Sequence, residues 1–110
     1  MREIIELRGA SGATYRFRLL PPGGAHPTAG GHYASVREKP AGFEVVNVAS
    51  VEDLSIARAE HEATAAGRGA THLFTRLNVS WAAREAEVDD MKAHYKLGEA
   101  SELAEGRDHG

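Results

Sequence analysis

Phe43-Glu44-Val45-Val46-Asn47-Val48-Ala49 is a short apolar run, Ser50-Val51-Glu52-Asp53 follows it, and Leu54-Ser55-Ile56-Ala57-Arg58-Ala59-Glu60-His61 then opens a helical pattern that ends at Gly67. The change of period predicts a buried strand that turns directly into a capped helix. Ser50 is the expected N-cap, with Glu52 and Asp53 in the first turn to meet its exposed amides. Val51, Leu54, Ala57, His61 and Ala65 recur at three- and four-residue spacing and form the expected inner face, and Gly67 is the expected C-cap.

Upstream, His32-Tyr33-Ala34-Ser35-Val36-Arg37-Glu38 reads as a strand that Lys39-Pro40-Ala41-Gly42 turns back into the Phe43 run, an antiparallel hairpin. An earlier hairpin spans residues 3–19, with Glu3 to Arg8 and Thr14 to Leu19 as strands. In its second strand Tyr15, Phe17 and Leu19 alternate with Arg16 and Arg18, so one face is buried and the other solvated. Pro21 to Gly31 hold too much Pro and Gly for a regular element and read as a mobile loop. Downstream, Gly69 to Asn78 supplies a fifth strand. Asn78 or Ser80 then caps a helix over about Trp81 to Lys96, with Trp81, Val88, Met91 and Tyr95 as its apolar stripe.

These elements predict an α+β fold with an antiparallel-dominated sheet, two hairpins plus a further strand, and two helices packed on it. One domain over residues 1–97 is expected, since 110 residues at 42% hydrophobic content support a single modest core. Residues 98–110 read as an acidic, flexible tail, with Arg107 alone against Glu99, Glu102, Glu105 and Asp108, whereas residues 1–97 balance 12 basic against 12 acidic side chains. A dedicated DNA-binding surface usually shows as a basic excess, and composition offers none. No apolar stretch approaches the roughly 18 residues that span a bilayer, and Met1 to Glu6 lacks a signal-peptide core, so a cytoplasmic location and no membrane partner are expected. The absence of cysteine excludes disulfides, thiolate chemistry and cysteine zinc sites.

Gly31-His32-Tyr33, Asn47-Val48-Ala49, the Asp53-Leu54 helix start, His61, Gly69-Ala70-Thr71-His72 and the Arg84 to Tyr95 helix together resemble a GIY-YIG domain over about residues 29–97. The hairpin at residues 3–19 is an addition to that core. The resemblance implies nucleases that cut DNA with one divalent metal, using two strand tyrosines, a helix arginine and a metal-binding glutamate. Carboxylate oxygens hold a hard cation, and a positive side chain stabilises the phosphate. Carried over, the site positions are Tyr33, Asn47, Ala57, His61 and Val88: the first tyrosine and the histidine are kept, while the second tyrosine, the arginine and the glutamate are lost.

Arg58 and Glu87 lie next to the vacated positions but about 100° away around their helices. Loss of a placed acid or base costs about 10²- to 10⁴-fold, so the sequence predicts a domain without nuclease activity and without a cofactor, serving as a binding or interaction module with a protein partner. One alternative is a divergent Mg²⁺-dependent nuclease built from Tyr33, Arg58, His61 and Glu87 in a shifted register. Another is weak DNA contact through Arg16, Arg18 and Arg76 without cleavage. Against these stand plainer readings: Tyr33 as a strand tyrosine with a satisfied hydroxyl, and His61 as a half-buried, hydrogen-bonded histidine. Trp81 reads as core, and Arg84, Lys92 and Lys96 as a solvated mixed face. His32, His72 and His94 are metal ligands only if the fold gathers them.

Overall fold

A computed structural model describes residues 2–20 and 28–97; the expected tail at 98–110 and residues 21–27 of the loop lie outside the described residues. The order of elements is β1 (Ile4–Arg8), β2 (Thr14–Leu19), β3 (Gly31–Lys39), β4 (Gly42–Val51), α1 (Leu54–Gly67), β5 (His72–Leu77) and α2 (Trp81–Tyr95). The fold is α+β, with one antiparallel five-stranded sheet in the order β1-β2-β5-β3-β4. The last strand thus fills the gap between the two hairpins. Among the described residues no helix is long and apolar enough to cross a membrane.

The helices lie on opposite faces of the sheet, and strand alternation decides what each one meets. Ile5, Leu7, Phe17, Ala34, Val48 and Phe74 gather with Val88 and Met91 of α2. Leu20, Tyr33, Val51 and Leu73 gather on the other face with Leu54 of α1. Residues 31–36 of β3 are all buried because this strand has a strand on each side and a helix over each face. Tyr95 and Asp90 of α2 hold the first hairpin in place: Tyr95 Oη accepts from the Arg8 amide at 2.9 Å, and Asp90 accepts from Ser11 Oγ and Tyr15 Oη at 2.7 Å each. That pairing with Asp90 pushes the Tyr15 hydroxyl up to about 12.

Several local expectations need correction. β4 continues to Val51, since Ser50 pairs with His32 and Val51 with Gly31, so Ser50 is a strand residue. Asp53 is the N-cap instead, its Oδ1 accepting from the Ser55 amide at 2.9 Å, and Glu52 and Asp53 precede the helix. Helix α1 does end at Gly67, but Arg68 caps it. The β3–β4 turn is tighter than four residues, because Lys39 and Gly42 already pair. Ser80 caps α2 through its side chain, accepting from the Ala83 amide at 3.3 Å, while Asn78 Oδ1 accepts from the Ser80 amide. Trp81 is 64% exposed, not core. It sits at the first residue of α2, directly after the exposed Val79 and Ser80, where the inward stripe has not yet reached the sheet.

Phe74 is fully buried on the central strand. Phe74→Ala is expected to destabilise the protein by about 3–5 kcal/mol, the usual cost of a large-to-small core change. Trp81→Ala should stay within about 0.5 kcal/mol. Urea unfolding followed by circular dichroism separates the two.

Candidate functional site

His32 and Tyr33 are consecutive on β3, and so their side chains project to opposite faces. This alternation divides the polar residues into two groups. On the α2 face His32, fully buried, meets Glu87 through Nε2 and Oε1 at 2.9 Å. Arg76, the partner of His32 in the β3–β5 register, donates from Nε to Glu87 Oε1 at 3.0 Å and from Nη2 to Oε2 at 3.3 Å. Arg84, one turn before Glu87 on α2, is 5% exposed and donates from Nη1 to the Asn78 carbonyl at 3.1 Å. It fits because Gly30 has no side chain: a Cβ there would stand 2.4 Å from Nη1.

The electrostatics follow from this enclosure. Burial lowers the His32 pKa below its ordinary 6.5, and Arg76 and Arg84 push the same way, against the opposing pull of Glu87. Glu87 is held below 4.5: desolvation opposes ionisation, but hydrogen bonds from Arg76, His32 and Asn78 outweigh it. With His32 neutral, the cluster holds two cations and one anion. Among the described residues, His32 Nδ1 and Arg84 Nε have no hydrogen-bond partner.

On the α1 face the Tyr33 hydroxyl donates to the Leu54 carbonyl, and the His61 ring stacks on the Tyr33 ring with centroids 4.6 Å apart at 14°. Burial lowers the pKa of His61, and Glu60 opposes that shift. Arg58 Nε donates to Glu62 at 3.1 Å along the helix. Asn47 lies on β4 opposite Ser35, beside a register shift between Ser35 and Val36. Ala57 is on α1, and its side chain lies outside those described.

Tyr33, His61 and Arg58 therefore share one side of the sheet, while Val88 and Glu87 belong to the other. The four residues of the shifted-register site are not brought together, because Glu87 is separated from Tyr33 by the thickness of β3. Glu87 turns toward the sheet, where it bonds Arg76 and His32. Arg84 likewise is not part of a solvated face. Arg16 and Arg18 are exposed on β2, whereas Arg76 is committed to Glu87 and lies 5.4 Å over the Tyr15 ring. Sequence reasoning missed Arg84 and the His32–Glu87 pair; the signal was the spacing 84, 87, 88, 91 and 95, a helical stripe that includes two charged positions.

A divalent metal does not fit this arrangement. Both Glu87 oxygens are engaged by a guanidinium, and among the described residues no group of three His, Asp or Glu side chains is placed to hold an ion. No family model, no curated protein and no solved structure matches the chain.

Glu87→Ala removes hydrogen bonds from one buried and two half-buried partners and should cost about 1–3 kcal/mol. The histidines set a pH dependence. His32 and His61 have folded pKa values below 6.5, so the unfolded chain takes up protons first as pH falls through that value. Stability should be fully present above the unfolded pKa and decline below about pH 6.5, with a further loss below about pH 4.5 as Glu87 protonates. Melting temperatures between pH 7.5 and 4 measure this, and His32→Gln should flatten the slope around pH 6 while lowering the plateau.

Proposed function

We propose that this chain is a small binding module on a GIY-YIG-like core that does not cleave phosphodiesters. The single observation that carries the reading is the neutralisation of Glu87. Glu87, next in sequence to the position Val88 where the resemblance puts the metal-binding glutamate, is tied to Arg76 and His32, on the opposite side of the sheet from Tyr33, Arg58 and His61. A carboxylate so placed does not recruit a hard cation without breaking three hydrogen bonds from buried or half-buried donors. The resemblance to the GIY-YIG core rests on order and spacing over about residues 29–97 more than on any one motif, and the Tyr33–His61 stack gives two of the residues that carry it a packing role.

The test is incubation of the purified chain with supercoiled plasmid and with branched DNA in Mg²⁺ or Mn²⁺. No nicking above a buffer control is expected over hours. Cleavage that disappears with Glu87→Ala in a variant shown to be folded defeats the proposal.

A further inference from the structure

The first hairpin turns a free edge toward the tip of the second one. Among the described residues β1 pairs with β2 alone, and the Leu19 amide donates to the Glu3 carbonyl at 2.7 Å while the Gly9 amide donates to the Ala13 carbonyl at 2.9 Å. Odd-numbered residues of β1 therefore direct their main-chain groups at β2, and even-numbered ones direct theirs outward. At one end of the strand those outward amides are satisfied by α2: Arg8 donates to Tyr95 Oη and Ala10 to the Asp90 carbonyl. At the other end Ile4 and Glu6 open onto a cleft of about 830 Å³, whose far wall is the turn from Lys39 to Phe43. That volume lies within the range of about 300–1,000 Å³ typical of ligand sites.

The two faces of the cleft differ in chemistry. Strand alternation puts Ile5 on the α2 face, where Phe43 also packs against the apolar core. Ile4, Glu6 and Arg16 project to the opposite face, which α1 leaves uncovered at β1 and β2: Ile4 is 40% exposed, and Glu6 and Arg16 are both exposed. Arg2, Arg16 and Lys39 line the cleft together with Glu6 and Glu38, and Glu6 lies opposite Arg16 in the hairpin register. A strand entering here meets apolar surface on one side of its pleat, and elsewhere a mixed-charge lining in which Arg2, Arg16 and Lys39 outnumber Glu6 and Glu38 by one, Lys39 also standing 3.5 Å from Glu44.

We propose that this cleft docks an extended peptide segment of a partner protein, with acidic and apolar residues alternating, as a sixth strand along the Ile4–Glu6 edge of β1. Main-chain bonds to the outward groups of Ile4 and Glu6 supply the pairing, apolar side chains cover Ile5 and Phe43, and acidic ones meet Arg16, Arg2 and Lys39. The inference rests on reading the chain as a binding module, and it uses none of the residues of the Glu87 cluster. A peptide is favoured over nucleic acid because the open main-chain groups match a strand, and the inner wall offers an apolar seat rather than a phosphate contact.

The probe is an acetylated, amidated octapeptide of alternating glutamate and valine, titrated into the ¹⁵N-labelled full chain. Saturable shifts are expected at the amides of Ile4, Glu6 and Phe43. The lysine–valine counterpart should bind at least about tenfold more weakly, as should a glutamate–valine peptide N-methylated at alternate residues, which keeps side chains and loses main-chain donors. On the protein side Arg16→Glu and Glu6→Pro should each weaken binding about tenfold. Proline at Glu6 removes an outward amide and leaves the β2 ladder intact. The N-methylated peptide carries the main-chain test should Glu6→Pro misfold. The proposal falls if the shifts lie elsewhere, if both peptides bind alike, or if a single-stranded oligonucleotide gives the same shifts more tightly. It also falls if the peptide-free chain already fills the cleft, with a second copy or with its own residues 98–110, seen as contacts to Ile4. Absence of peptide binding without DNA cleavage removes this inference and leaves the binding-module reading; DNA cleavage removes that reading.

Discussion

A strand covered on both faces and bonded on both edges is the constraint from which the rest of this molecule follows. β3 has no residue from Gly31 to Val36 that reaches solvent, so each one is chosen by a neighbour. Small residues appear where another element comes close: a Cβ on Gly31 would stand 2.2 Å from the Arg76 carbonyl, and Ala34 lies under the core between Val48 and Phe74. Large polar residues appear where the opposing helix offers something to bond. His32 finds Glu87, and Tyr33 finds the Leu54 carbonyl and the His61 ring. A shift of one residue in this strand would exchange the two faces and put an imidazole where α1 presents Leu54.

The same strand explains why, among the described residues, Tyr33, Arg58, His61 and Glu87 are not gathered at one point. A reacting centre needs an acid, a base and a charge stabiliser within a few ångströms of one point. Here consecutive side chains of β3 send the candidate groups to opposite sides, and each is consumed locally. The Arg76–Glu87–His32 cluster bonds β5, β3 and α2 together, as a buried network does when its members satisfy one another.

Much of the fold was legible. Tyr15, Phe17 and Leu19 alternating with arginines announce a half-buried strand, and the two hairpins and both helices occur where turn residues and apolar spacing place them. The position of β5 between the hairpins was not, because local pattern carries no information about which strands become neighbours. The site was less legible still. Charged residues on a helix normally mark its wet side, and Arg84 and Glu87 break that rule only because a glycine and a histidine elsewhere in the chain receive them. Ser50 misled for a related reason: a good capping residue was claimed by strand pairing with His32, and Asp53 took the role three residues later.

The placement of β5 carries a kinetic consequence. The two hairpins can each close locally, but their joining strand comes from residues 72–77, after a whole helix has intervened. Until it arrives, β2 and β3 both expose open edges, and closing the sheet means bringing together segments of high sequence separation. Assembly of this chain should thus be slow for its size, limited by a late zippering event. An early species with two unjoined ribbons is the one most prone to stick to its neighbours.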